Sequence, residues 1–513
     1  MKKGRVSAKK AAVIIVVISL IGKVFGFARE LLLANYFGTS KVVDVYLMSV
    51  TIPSIFFGFL PSLGIGFTPV YYKIKEEDRR HTFLNNILIC SAAIGFLCIV
   101  LTVVFKNQIV NLCAPGFEDS AKVQTSSFLL ITVWAVFFNT PVQLLTAYLN
   151  CKKNYIVSNV SNLFVSIIQA VFVIIAAKFN VIFLPIGVVL PWIFQVGWLS
   201  YSANQNGHRF SLYKKGDQYV KKIFALSAPL FFSSILVDIN GFVDKMLSSS
   251  LPAGRLSALN YSFTLRAVFV TAASTVISTI VYPRISEKII CGDKSEAQLL
   301  IAKYTDIISY IVVPICLICC FYSQEIVRIV LMRGNFDYES LQNTSSPFLA
   351  YSVSLAILVW RELIIRIMYS NGRTFVNLKY STIEILLNVL LSIILVNRYE
   401  QTGLAIATSI AAIIVFPLYI KELNTVLQSK LLKGRIFKII KILISSALAT
   451  IVSLIAYNLF DFSPNSGIII AILHLGISLL LGATIYFLFS ILLRVEESKY
   501  LIDWCKDKFH IRN

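Results

Sequence analysis

The sequence predicts an all-α integral membrane protein with about fourteen transmembrane helices. Hydrophobic residues make up 57% of the 513 residues, charged residues make up only 14%, and the mean hydropathy is +0.77. Apolar segments of about 20 residues, the length that crosses a bilayer as a helix, recur along the whole chain. Too little polar sequence separates them for a folded soluble domain.

The predicted helices follow one another with short connections, and each boundary is placed within a few residues. They cover residues 11–36, 43–72, 83–105, 124–149, 155–177, 181–202, 223–249, 258–283, 301–321, 343–369, 376–396, 402–420, 437–459 and 466–493.

The distribution of Lys and Arg predicts the orientation, because positive residues are retained on the cytoplasmic side. With the N-terminus inside, 33 of the 47 basic residues lie in inner segments or at the inner ends of helices, and 8 lie in outer loops. We therefore expect both termini in the cytoplasm. The net charge of +21 then needs no nucleic-acid partner, and it favours anionic membrane lipids.

An internal repeat at a spacing of about 214–220 residues predicts two lobes of six helices each. Phe67-Thr-Pro-Val70 matches Val281-Tyr-Pro-Arg284, and both copies fall on the same side of the membrane, so the repeat is parallel. We expect an N-lobe at 1–210 and a C-lobe at 215–425. The two additional helices and a basic cytoplasmic tail occupy 430–513, and we expect these helices to face or bind lipid.

The second predicted helix contains three prolines and three glycines between Ile52 and Pro69. Each proline removes an N–H donor and clashes one turn back, so this helix must bend. The bend indicates either a moving gate or an ordinary kink.

Charged residues within the apolar segments are the best candidates for function, because ionisable groups at membrane depth are costly. The cations are Lys23, Arg29, Lys245, Arg266, Arg361 and Arg366, and the acids are Glu30, Asp44, Asp238, Asp244, Glu362 and Glu384. Fixed cations suit a phosphate-bearing substrate, since Arg binds phosphate through a planar fork. Two alternatives stay open: Arg29–Asp44 and Lys245–Asp244 neutralise each other, or the Arg361 and Arg366 side chains reach the interface.

An enzyme is not expected, because reactive groups are sparse. The four histidines have no metal-ligand spacing, no phosphate-binding glycine loop occurs, and most cysteines are suited to be small apolar filler. We expect no metal and no cofactor.

Several short motifs together resemble the MurJ (MviN) family of lipid II flippases in the MOP exporter superfamily. The residues that carry the resemblance run in the family's order from about 10 to 425: Phe25-Gly-Phe-Ala-Arg-Glu30, Phe37-Gly38, Ala114-Pro-Gly-Phe117, Val243-Asp244, Tyr282-Pro283, Arg333-Gly-Asn-Phe336 and Arg366-Ile-Met-Tyr369. The resemblance implies transport of undecaprenyl-pyrophosphate-linked peptidoglycan precursor from the inner to the outer leaflet by alternating access, in the bacterial cytoplasmic membrane.

The resemblance also implies roles for individual residues. Lys23, Arg29 and Asp44 match polar positions of the family's central cavity, and Arg266 stands two residues from a position where the family has Arg. A further arginine of the family, in the second helix, is replaced here by Ile55-Phe-Phe57. For ion coupling, by Na⁺, H⁺ or the membrane potential, the matching residues are Asp244, Asn388 and Thr408.

Other functions remain open at this point. They are a flippase for another polyprenyl-pyrophosphate-linked oligosaccharide, a small-molecule or ion antiporter, and an interaction scaffold without transport. We expect a monomeric transporter whose partners are a lipid-linked glycan and anionic lipids.

Overall fold

The computed structural model describes residues 8–58, 60–428, 435–459 and 468–498, and every regular element in these ranges is helical. The predicted fold class is therefore confirmed. Within the described ranges, nine helices are long and apolar enough to cross a membrane, and eleven if each of two bent pairs forms one span. The number fourteen stays a prediction, and most of the basic tail lies outside the described residues.

The first half of the chain forms nine helices. They are α1 (Ala8–Phe37), α2 (Lys41–Phe57), α3 (Leu63–Lys73), α4 (Glu77–Cys113), α5 (Asp119–Thr132), α6 (Trp134–Cys151), α7 (Tyr155–Lys178), α8 (Phe183–Gln205) and α9 (Gln218–Ser248).

The second half forms nine more. They are α10 (Arg255–Val276), α11 (Tyr282–Ile290), α12 (Lys294–Phe321), α13 (Ser323–Leu331), α14 (Tyr338–Ser352), α15 (Leu355–Ser370), α16 (Thr374–Leu427), α17 (Ile436–Leu459) and α18 (Ile468–Leu492). A π-helical turn at Ile277–Val281 joins α10 to α11.

The bend predicted for the second helix is confirmed. The chain breaks between α2 and α3, and the two helices are inclined by 53°. Pro53 lies inside α2 and Pro69 inside α3, while Pro61 lies in a 3₁₀ turn at Leu60–Ser62. The missing N–H donors explain why the continuous helix cannot persist here.

A second break divides α16. Glu400 has φ 50° and ψ −136°, which no helical residue adopts. The break falls between the predicted helices 376–396 and 402–420, so the sequence placed this connection correctly.

The helices form two compact units. The first unit runs to Ser257 and includes Arg333–Asp337, and the second unit contains Ala258–Met332 and the chain from Tyr338 onward. Helix α9 belongs to the first unit because it packs against α2 and α3. The predicted lobe boundary at 210–215 separates the two copies of the internal repeat, which is a different division of the chain from these compact units. It stays a prediction.

The core of the first unit is aromatic and aliphatic. Phe67 of α3 stacks on Phe83 of α4 with ring centroids 5.3 Å apart, and Tyr148 of α6 and Ile223 of α9 are fully buried beside them. Burying large rings of this kind is the main source of packing energy in a core. This core joins α3, α4, α6 and α9.

The linker between α8 and α9, residues 206–217, is folded onto α4. Buried Asn85 donates to the Arg209 carbonyl, and buried Asn86 donates to the Lys214 carbonyl and accepts from the Lys214 N–H. These two amides satisfy backbone groups that would otherwise need water. The linker is thus an ordered part of the first unit.

Candidate functional site

Arg29 lies between α1 and α7 and is held by two neighbours. Its Nη1 donates to Gln169 Oε1 at 3.0 Å, and its Nη2 forms an ion pair with Glu30 Oε1. The Arg29 side chain is 30% exposed, and these two neighbours engage both terminal nitrogens of its guanidinium. The alternative pairing with Asp44 is not observed. Gln169 is not among the charged candidates in the sequence, although a glutamine within an apolar segment is itself a signal of function.

Glu30 is the counter-ion of this arrangement. Its side chain is buried, and its second carboxylate oxygen, Oε2, has no hydrogen-bond partner. A buried carboxylate with one unsatisfied oxygen is costly. The ion pair with Arg29 is thus the main compensation for the buried Glu30 charge. Lys23 lies six residues before Arg29 on α1 and is exposed.

Asp44 of α2 binds the start of α10 instead of an accessible cation. Its two carboxylate oxygens accept hydrogen bonds from the N–H groups of Gly254 (2.6 Å) and Ser257 (2.8 Å), and the residue is 4% exposed. A carboxylate at a helix N-terminus satisfies free donors and complements the helix dipole. Asp44 thus fastens α2 to α10 within the first unit.

The chain turns around Asp44 pack closely, and we call them the turn cluster: residues 38–40, 114–118, 249–254 and 333–337. A Cβ atom built on Gly254 would lie 2.3 Å from the Thr39 carbonyl oxygen, and one on Gly38 would lie 2.3 Å from that of Asn335. Both glycines have positive φ, so no other residue fits without strain. Asn335 adds hydrogen bonds to the carbonyl groups of Asn35 and Tyr36.

Lys245 of α9 contacts α2. Its Nζ donates to Thr51 Oγ1 at 2.8 Å. Consecutive helical residues point in different directions, so Lys245 and the adjacent Asp244 leave α9 on different faces. Asp244 is buried in the first unit.

Arg266 of α10 is enclosed by aromatic rings in the second unit. Its guanidinium carbon lies 4.8 Å from the ring centroid of Phe263 and 4.4 Å from that of Tyr351, and the residue is buried. Cation–π contacts of this type stabilise a desolvated cation. Arg266 is thus a fixed positive charge held by Phe263 and Tyr351.

Asn388 and Thr408 are brought together on the two parts of α16. Asn388 Nδ2 donates to Thr408 Oγ1 at 2.9 Å, and Asn388 is 1% exposed. Its Oδ1 atom is buried without a hydrogen-bond partner. A buried amide oxygen in this state is suited to accept a donor or coordinate a small cation.

The second unit also contains an apolar cavity of about 850 Å³ lined by α12, α17 and α18. Pro314 and Ile318 of α12 line it together with Ala449 of α17, Gly482 of α18 and the Glu497 side chain. Its size and apolar walls suit a hydrocarbon chain.

The fold and these charged groups define a multi-pass helical membrane transporter, since ion pairs and cations are embedded in apolar helices. The family profile described as lipid II flippase MurJ matches residues 33–491. The chain belongs to the MurJ family.

Individual relatives agree over nearly the full length. A Rickettsia prowazekii protein described as "Probable lipid II flippase MurJ" is 24% identical over 95% of this chain and 98% of its own length. A Thermotoga maritima protein with the same description is 22% identical over 94% of this chain and 96% of its own length.

Solved structures show the same fold. A lipid II flippase MurJ in an inward closed conformation matches with a TM-score of 0.80 and 23% identity, covering 94% of this chain and 99% of that one. An inward-facing MATE family transporter of the MOP superfamily matches with a TM-score of 0.63 and 12% identity, covering 81% and 99%. The two matches show that the fold is shared.

Proposed function

We propose that this protein is a flippase that moves lipid II, the undecaprenyl-pyrophosphate-linked peptidoglycan precursor, from the inner to the outer leaflet by alternating access. The observation that carries the proposal is the match of the MurJ family profile over residues 33–491. The partly exposed cation Arg29, in a segment with few other charges, supports it chemically.

The pyrophosphate binds to fixed cations in this proposal. Arg29 offers a planar fork for two phosphate oxygens, and Gln169 keeps that fork oriented. The incoming anion competes with Glu30 for Arg29, and Glu30 then takes another partner or a proton, because an unpaired buried carboxylate is costly. Lys23 of the first unit adds positive charge, and Arg266 is a separate proposed substrate contact in the second unit. Asp44 stabilises the helix ends that must move.

The prenyl chain needs an apolar path, and the cavity beside α17 and α18 provides one. Its volume of about 850 Å³ accommodates part of a long hydrocarbon. This assignment agrees with the lipid-binding role expected for these two helices.

Ion coupling is the third part of the proposal. Asn388 Oδ1 and Thr408 Oγ1 of the second unit are oxygen ligands for a monovalent cation. Asp244 of the first unit is a separate coupling residue that supplies negative charge or a proton site. Either a Na⁺ or H⁺ gradient or the membrane potential drives the cycle. The transporter acts as a monomer in the bacterial cytoplasmic membrane, with both termini in the cytoplasm.

The test is replacement of the resident flippase. In a bacterium whose own lipid II flippase can be depleted, this chain is expressed, and lipid-linked precursors are quantified as the resident protein disappears. We expect growth to continue and lipid II to stay at its normal level. The Arg29→Ala variant, expressed to the same amount, should fail while lipid II accumulates.

The alternative substrates are distinguished by measuring which lipid-linked precursor the chain exports. If the chain restores export of a surface polysaccharide but not of lipid II, the substrate is another polyprenyl-pyrophosphate-linked oligosaccharide. If neither precursor is affected, transport of lipid-linked glycans is excluded.

A further inference from the structure

A polar pocket lies where the linker meets the start of α4, apart from the charged residues discussed above. It has a volume of about 340 Å³ and is lined by residues from both segments, among them Arg79, Thr82, Lys214 and Lys215. Three cationic side chains and a hydroxyl therefore surround one small space. The distribution of basic residues predicts that this space is on the cytoplasmic side.

The pocket is built on a fixed backbone. Asn86, which is fully buried, accepts from the Lys214 N–H at 2.9 Å and donates to the Lys214 carbonyl at 2.9 Å. The two lysines thus stand on a segment that is ordered before a ligand arrives. Preorganisation of this kind lowers the entropic cost of binding.

The charges in the pocket are not balanced. Asp217 also lines it, but its two oxygens already accept from the Tyr219 N–H and from Asn86. In the part of the chain that the structure describes, no ion pair engages Lys214 or Lys215, whereas Arg79 pairs with Glu76 in an exposed contact. The pocket therefore suits an anion, and phosphate oxygens match lysine donors.

The same stretch of linker exposes large apolar side chains. Leu212 is 87% exposed, and Phe210 and Tyr213 are each about half exposed. Exposed aromatic and aliphatic residues directly before two lysines are typical of a segment at a membrane interface. This observation is independent of the pocket and indicates a lipid.

We infer that the linker binds the phosphate headgroup of an anionic phospholipid of the inner leaflet. Arg79, Thr82, Lys214 and Lys215 receive the headgroup, while Phe210, Leu212 and Tyr213 enter the interface. The bound lipid holds the linker, and through Asn85 and Asn86 the start of α4, at the bilayer surface. This role does not depend on which glycan the protein transports.

The experiment measures retained lipid. The full-length protein is purified from bilayers that contain phosphatidylcholine with a minor fraction of phosphatidylglycerol, and bound lipid is counted by native mass spectrometry. The test variant is Lys214→Gln with Lys215→Gln. The matched control is Lys221→Gln with Lys222→Gln, which removes the same charge from exposed positions of α9 outside the pocket.

We expect the pocket variant to bind phosphatidylglycerol more weakly, by roughly fivefold per lysine, and the control to match the wild type. The charge-preserving variant Lys214→Arg with Lys215→Arg should restore retention. Leu212→Ser should also weaken retention without changing any charge.

Three results would overturn the inference. The first is equal retention by the wild type and the pocket variant. The second is an equal loss in the control, because the attraction would then be diffuse. The third is binding of inorganic phosphate that depends on Lys214 and Lys215 without retention of phosphatidylglycerol, which would assign the pocket to a soluble anion.

Discussion

At the scale of single residues, the hydrogen-bonding partners decide what each charged group can do. Gln169 and Glu30 orient Arg29 yet leave it partly exposed, whereas two backbone N–H groups occupy the Asp44 carboxylate. Arg29 and Asp44 are both charged residues in apolar segments, but their surroundings differ. Arg29 is the proposed contact for the substrate, whereas Asp44 stabilises the start of α10.

Arg29→Ala should abolish transport without loss of expression or insertion, because it removes a fixed cation in a low-dielectric setting. Arg29→Lys should recover only part of the activity, since Lys cannot bind bidentately. Complementation of a flippase-depleted strain, with protein amount measured by immunoblot, checks both. Normal complementation by Arg29→Ala would remove the residue from the mechanism.

Gln169→Ala tests the orientation of the same guanidinium. It should lower activity less than Arg29→Ala, because the charge persists and only its orientation is lost.

Ion coupling is also a question about single residues. Asp244→Asn and Thr408→Val should each reduce the dependence of flux on a Na⁺ or H⁺ gradient or on membrane potential, because each removes an oxygen function from the proposed coupling residues. The measurement is flipping in proteoliposomes with and without the imposed gradient. Thr425→Val, an exposed threonine further along α16, is the control and should behave as wild type. Gradient-independent flux in the wild type would contradict the proposal.

At the scale of elements, the linker is the part whose order a sequence cannot indicate. His208 is buried against Tyr148, its Nε2 faces Asn85 Oδ1 at 3.0 Å, and its Nδ1 lies 3.1 Å from the Nδ1 of His81. Burial, together with the nearby His81 and Lys152, lowers the pKa of His208 to about 4. The folded linker therefore requires the neutral imidazole.

The stability of the protein should consequently depend on pH. An unfolded histidine titrates near 6.5, so the contribution of His208 is complete above that pH and is lost as the pH falls from about 6.5 toward 4. At pH 5 the loss should be about 2 kcal/mol. Thermal unfolding in detergent at pH 7.5 and pH 5 measures it.

His208→Gln should flatten this pH dependence, because the amide does not titrate. His510→Gln, in the tail outside the described residues, is the control and should leave the profile unchanged. An unaltered profile in His208→Gln would assign the pH dependence to other groups.

At the scale of the whole molecule, alternating access requires the turn cluster to open. In the structure the cluster is closed by hydrogen bonds from Gly254 and Ser257 to Asp44 and by close backbone contacts at Gly38 and Gly254. The predicted internal repeat places two of its turns, the α1–α2 and α9–α10 connections, at matching positions. The predicted orientation puts them at the outer face, where we expect the outer gate.

A disulfide across the cluster should stop transport. A Cβ on Gly254 would lie 3.3 Å from Thr39 Cβ, so the two turns are close together. The second cysteine is placed at the neighbouring Ala253, because Gly254 has a positive φ that disfavours any side chain. Oxidation of the Thr39→Cys, Ala253→Cys protein should block flipping, and a reductant should restore it. Each single cysteine variant should stay active, which controls for the substitutions. Undiminished flux in the fully cross-linked protein would show that this cluster does not open.

The sequence by itself determined the fold class, the bend between α2 and α3, the break in α16 and the family. These features depend on composition, prolines and local motifs, whose effects do not require contacts with distant parts of the chain. It also identified Arg29 as an intramembrane cation. Only the tertiary structure decided that Arg29 pairs with Glu30 and Gln169, that Asp44 binds the start of α10, and that the linker folds onto α4. Apart from the pairing of Arg29 with its neighbour Glu30, these contacts join residues separated by more than a hundred positions. Hydrogen bonding between distant segments leaves no periodic trace in a single sequence.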